Sequence, residues 1–219
     1  MTALAGYVGS VLITSTPNVA LTNEVLTDAG DHQTFNEPTA SKRYWDRTAS
    51  FTVQTAPDGV TWTTATPGTY TIRYVTGQVV FNTPVSGATP SCRISSGAYL
   101  PYSTLGQGKD WECIPAMDML DSTTLQGYGG SHWKTYVPSL QGASIKLTRF
   151  WADSTFWTIL QNTPTNLLIV SLVTGRTSTG DRYEGYARVK QDDIKLSVSA
   201  LVEEGLDMDI DGQLYYFAN

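Results

Sequence analysis

Apolar and polar positions alternate with a period of two over much of the chain, the pattern of half-buried strands. Residues 7–14 (YVGSVLIT) read as a first strand, ended by Thr16-Pro17-Asn18. Residues 21–27 fit either a strand or a turn, 28–32 a loop, and 36–50, short of aliphatics, an extended or looped segment. Short strands follow at 50–55 and 60–64, separated by Pro57-Asp58-Gly59 and closed by Pro67-Gly68. Tyr70, Ile72 and Tyr74 then share a face, Thr76-Gly77 turns the chain, and Val79 and Phe81 return, which predicts a hairpin. Residues 92–95 form another short strand, and 99–108 make a junction, the boundary if the chain forms two lobes.

The second half has the same character. Residues 111–120 read as a strand interrupted at Pro115, hence an edge or a bulge. A polar, Gly-rich stretch (121–131) leads to a short turn at 132–138, and 143–151 alternate again. Asp153 or Ser154 caps a helix whose stripe is Phe156, Ile159 and Leu160, ending at Asn162-Thr163-Pro164. At about ten residues it must pack on a sheet to persist. Residues 167–174 are continuously apolar, a strand buried on both faces. Runs at 183–190 and 194–202 flank Asp192-Asp193, and 214–218 close the chain. The expected class is all-β with one short helix, a β-sandwich or partly closed barrel. Residues 1–219 read as a single domain, with 38–105 an elaboration of its N-terminal half.

Charge sharpens this. The formal net charge is −6 over 219 residues, without the basic footprint of a protein that grips nucleic acid. Residues 1–110 carry 7 acidic and 6 basic residues, and 111–219 carry 13 and 8. No apolar run reaches the roughly 18 residues of a membrane span, and the start lacks the basic region of a secretory signal. Cys92 and Cys113 lie outside any metal or redox spacing, and two buried free thiols are expected rather than a disulfide.

The sequence offers little chemistry. His32 and His132 have no second ligand at metal spacing, and nucleophile elbows and phosphate loops are missing. No cofactor is expected, and no enzyme activity. Asp207, Asp209, Asp211 and Gly212 match the opening of a calcium loop, but its twelfth position falls on Ala218, which has no carboxylate. In a strand, Asp207, Asp209 and Asp211 would instead share one polar face, with Met208 and Ile210 on the other. Tyr44-Trp45, two large aromatics in a polar segment, should bury against their own core or a neighbouring subunit.

The segment from Asp121 to Trp151 resembles the major tail (tail tube) proteins of long-tailed bacteriophages. The matching positions are Asp121, Thr123, Trp133, Pro138, Leu140, Gly142, Ser144, Leu147 and Trp151, followed by a helix led by an acidic residue. Gly9-Ser10-Val11-Leu12-Ile13 resembles the opening strand of that family, whereas 38–105 has no counterpart in a minimal member. The resemblance implies a tail-tube type of β-sandwich or partly closed barrel, and a structural virion protein of the phage tail, assembled in the host cytoplasm. Copies would form stacked hexameric rings around a DNA conduit, joining other tail proteins at the tube ends. DNA would pass without sequence-specific binding, and no membrane would be involved. Asp207, Asp209 and Asp211 become candidates to face the lumen, Tyr44 and Trp45 candidates for inter-subunit contact. Segments 28–48 and 121–131 become candidates to bridge neighbouring copies. Trp133 and Trp151 are expected in the core. The alternatives are a carbohydrate-binding β-sandwich, using aromatics such as Tyr44-Trp45 or Trp133-Tyr136, and a glycan hydrolase using Asp193, Glu203 and Glu204.

Overall fold

The computed structural model describes residues 10–14, 18–104, 108–121, 136–150, 154–161, 167–174, 181–195 and 202–218. Trp133, Trp151, Thr123, His132 and residues 122–131 lie outside them. The first strands are β1 (Ser10–Thr14), β2 (Val19–Asp28), β3 (Thr34–Asn36), β4 (Thr52–Ala56) and β5 (Thr63–Thr64). They continue as β6 (Tyr70–Arg73), β7 (Gln78–Phe81), β8 (Ser91–Tyr99), β9 (Tyr102–Thr104) and β10 (Gly108–Asp121). After β11 (Tyr136–Phe150) come the helix α1 (Thr155–Gln161), β12 (Leu167–Val173), β13 (Arg182–Lys195), β14 (Glu203–Ile210) and β15 (Tyr215–Phe217). The pairings described below are all antiparallel. The class is all-β with one short helix, as the period-two patterning predicts. The chain divides into two compact units, Leu12–Thr104 and Met1–Val11 with Leu105–Asn219.

In the unit Leu12–Thr104 the strand order is β5-β4-β8-β2-β3-β7-β6. Val53 of β4 and Phe81 of β7, far apart in that order, belong to one core with Leu21, Leu26, Phe35, Trp45, Val79, Cys92 and Ile94. The sheet therefore curls around a shared interior. The predicted hairpin forms with Tyr70 opposite Phe81 and Ile72 opposite Val79. Its turn needs Gly77: φ is 64°, and a Cβ there would lie 2.7 Å from the Arg43 carbonyl oxygen. Residues 21–27, open between strand and turn from sequence, belong to the ten-residue β2. Of 60–64 only Thr63–Thr64 is strand. Cys92 and Cys113 are free thiols.

In the other unit the order is β10-β11-β14-β13-β12. β13 pairs with β12 along one edge; its other edge takes β14 over 187–195 and β15 over 182–184. The β12 side chains Leu168–Val173 are all buried, as the continuous apolar run predicts. The buried Glu184 of β13 accepts a hydrogen bond from Ser171 (2.8 Å) and pairs with Arg182 (3.0 Å). Phe156 of α1 is fully buried, while Trp157 is 48% exposed. Two expectations are corrected. Asp192-Asp193 does not separate two runs: β13 continues through it to Lys195, with a register shift between Val189 and Gln191. And residues 136–138 are not a turn but the start of β11, which pairs with β10 as far as Asp121–Tyr136. Pro115 sits in β10, which ends the strand order of this sheet, the edge position where a strand proline is tolerated.

Candidate assembly surface

The sheet β10-β11-β14-β13 has two chemically different faces, set by strand alternation. On one, Ile145 and Leu147 of β11 lie beside Met208 and Leu206 of β14, each 1–2% exposed. That apolar row ends in ions. Arg149, opposite Glu204, forms a buried salt bridge with it, their side chains 4% and 1% exposed. The Arg149 guanidinium stands 4.6 Å from the centre of the Phe156 ring. Asp192, opposite Leu206, is on this face too. Burial, then the neighbouring Glu204 carboxylate, raise the Asp192 pKa to about 6 against an opposing pull from Arg149. Two carboxylates beside one guanidinium leave a surplus negative charge, which a proton on Asp192 removes.

The opposite face is ionic and wet. Glu112, Lys146, Asp207 and Gln191 form one cross-strand row, and Ile114, Ser144, Asp209 and Arg188 the next. Asp110, Thr148, Gly205 and Asp193 follow, then Phe150, Glu203 and Lys195. Acids outnumber bases here, but most have a cation at hand. Asp209 is 3.5 Å from Lys190, Glu203 is 2.8 Å from Lys109, and Lys146 stands opposite Asp207. Asp207 and Asp209 do share this face, with Met208 on the other. Asp211 lies just past the end of β14 and pairs with Arg188 at 2.7 Å.

Beyond Ile145 the β10–β11 hairpin leaves the sheet. β14 pairs with β11 only over Ser144–Phe150, so Tyr136–Ala143 has β10 as its one strand partner among the described residues. Burial follows the same break: alternation holds from Ile145 to Arg149, whereas Tyr136–Gly142 is exposed on both faces. The arm carries Met117 (45% exposed), Met119 (55%), Leu120 (60%), Tyr136 (49%), Val137 (51%) and Leu140 (73%). A two-stranded ribbon is marginal in water by itself, and apolar side chains exposed together in one patch mark an interaction surface. At the root of the arm lies a groove of about 680 Å³ lined by Pro115, Ala116, Met117, Gln141, Gly142, Ala143, Ile210, Gly212, Gln213 and Leu214, none of them charged. Sequence reading missed this surface because it placed a turn at 132–138. The signal was there: apolar residues at 117, 119 and 120 on one strand and at 136, 137 and 140 on the other, with Leu120 opposite Val137.

Tyr44 and Trp45 are not on a surface. They are 1% and 0% exposed, and Trp45 packs against Phe51 with ring centres 5.5 Å apart. Backbone bonds clamp the pair: Trp45 donates to the Tyr74 carbonyl (2.8 Å), and Leu100 donates to that of Tyr44 (2.7 Å). Of the two readings, own core is the one realised. A fully buried indole has no face left for a neighbour or a sugar, which corrects the inter-subunit assignment. Segment 28–48 likewise folds onto its own unit through Phe35, Tyr44, Trp45 and the buried Asp46. Burial alone would raise the Asp46 pKa, but hydrogen bonds from Thr48 and Asn18 outweigh it and leave it lowered. The proposed hydrolase acids do not converge. Glu203 and Glu204 are consecutive in β14 and point to opposite faces, one bonded to Lys109 and the other to Arg149. Among the described residues no cluster of His, Cys, Asp and Glu could hold a metal ion, and no helix is long and apolar enough to cross a membrane.

No family model and no curated protein matches the chain. Among solved structures it is similar to a chain from the virion of a native gene transfer agent particle. That match has 17% identity, a TM-score of 0.44, and covers 53% of this chain and 89% of the other. A chain from the tail of an empty gene transfer agent particle with C6 symmetry gives 17% identity and TM-score 0.44 over 54% and 87%. A chain from the sixfold-symmetrised baseplate of the anti-feeding prophage gives 8% identity and TM-score 0.35 over 83% and 96%.

Proposed function

We propose that this chain is a structural subunit of a phage-type tail tube. Copies form hexameric rings, rings stack, and the tube conducts DNA between capsid and tail tip, joining other tail proteins at its ends. Its place is the virion, and it performs no catalysis. The observation that carries the reading is the β10–β11 arm, an apolar ribbon that its own sheet leaves uncovered. Such a ribbon fits a protein whose native state is an assembly. The residue order running through Asp121, Pro138, Leu140, Gly142, Ser144 and Leu147, which resembles tail tube proteins, supports the same conclusion.

The ionic face suits a conduit wall. A basic wall would release counterions and hold DNA; a modest surplus of acid repels phosphates only within a Debye length of about 8–10 Å. In this reading Asp207 and Asp209 contribute to the lumen and sixfold repetition makes each a ring of charge. Lys146 and Lys190 beside them keep the repulsion weak. Negative-stain microscopy of the purified full chain tests the proposal. Rings or tubes of uniform diameter are expected; monodisperse monomers at every concentration would rule it out.

A further inference from the structure

We infer that the apolar tip of the β10–β11 arm of one copy seats in the groove at the root of the arm of a second copy. The inference rests on the self-assembly proposed above and names the contact that makes it. The groove continues the sheet's apolar face past the point where cover stops. Ile145 and Met208 are each 1% exposed; one alternation further along each strand stand Ala143 and Ile210, which line the groove. Small residues make the hollow. Ala143, opposite Pro115 on this face, carries only a methyl group.

The groove thus lacks side-chain volume, while the far end of the same hairpin has it in excess. Met119, Leu120, Tyr136 and Val137 stand between 49% and 60% exposed, on a ribbon with no third strand among the described residues. The occupant suggested by this is the chain itself. Its lining has no charged residue to recognise an ionic ligand, and the chain carries apolar side chains held on a strand pair that can reach outward. Tip and groove are different surfaces of one subunit, so the contact is heterologous and propagates from copy to copy, closing into rings or continuing as a stack.

The test uses the full chain in sedimentation velocity, with two variants. Leu120→Asp places a charge on the tip at a residue 60% exposed. Ala143→Phe fills the groove from the same face as Ile145 and Leu147. Each is expected to keep the wild-type circular dichroism and thermal midpoint while raising the concentration needed for assembly at least tenfold. Mixed one to one they should form a heterodimer and nothing larger, because the intact tip of Ala143→Phe still fits the intact groove of Leu120→Asp. Met119→Asp replaces the tip variant if Leu120→Asp folds poorly. Wild-type assembly that neither variant impairs, or a mixture that stays monomeric, overturns the arm-in-groove contact while leaving self-assembly standing. A wild-type chain that never associates removes both.

Discussion

Arg149→Met isolates the buried ionic cluster. Methionine fills much of the same volume and keeps an apolar contact with Phe156, so the main loss is charge. Glu204 then remains 1% exposed with no cation, and Asp192 is beside it. Removing one partner of a buried pair costs about 3–5 kcal/mol, because the other must stay charged in a poor solvent or take up a proton. Against a total stability of about 5–15 kcal/mol, that is a large share. The cost depends on pH. Without the guanidinium, nothing opposes the burial and the Glu204 charge that already raise the Asp192 pKa. The deficit is therefore full where Asp192 is ionised and shrinks as pH falls and it takes up a proton. Urea unfolding followed by hydrogen exchange in β11 and β14 peptides reads the effect on this unit alone. The deficit at pH 7.5 should exceed that at pH 5, and Arg149→Met/Glu204→Gln should recover most of it. A deficit under 1 kcal/mol, or one independent of pH, would refute the reasoning.

Asp192→Asn should stabilise the protein at pH 7 by about 1 kcal/mol, a value reduced for solvent screening since Asp192 is partly exposed. Its folded pKa is raised, so wild type loses stability as pH climbs from about 4 through about 6, and the gain should vanish below pH 4 in the same urea titration. Trp45→Ala, which empties the centre of the Leu12–Thr104 core, should cost about 3–5 kcal/mol by thermal or urea unfolding; a loss under 1 kcal/mol contradicts its burial. Gly77→Ala should cost more than 1 kcal/mol, since φ is positive and the Arg43 carbonyl blocks the new methyl; a neutral result means that the turn relaxes.

Legibility followed how local the deciding interactions are. The hairpin at 70–81 was readable because its turn and both apolar faces lie within a dozen residues. So was the alternation that turns Met208 inward and Asp207 and Asp209 outward. The course of β13 through Asp192-Asp193 was not: two adjacent acids look like a break between two runs until Arg149 and Glu204, distant in sequence, are seen beside them. The start of β11 was hidden by Pro138, which stops a central strand but is tolerated on an edge that β14 does not reach. For Tyr44-Trp45 the sequence supplied the need for burial but not its place. The choice was made by backbone bonds to Tyr74 and Leu100. The arm fell into the same gap, since exposure on both faces of a ribbon is a property of which strands are missing beside it.

The most direct measurement is a reconstruction of the assembled protein by cryo-electron microscopy, with the ionisable side chains lining its channel identified. Closed sixfold rings in register along a tube are expected, with Asp and Glu exceeding Lys and Arg on the lumen wall and Asp207 and Asp209 among them. An open or non-tubular assembly, or a lumen where Lys and Arg predominate, would contradict the account and place the surplus acid on the outside.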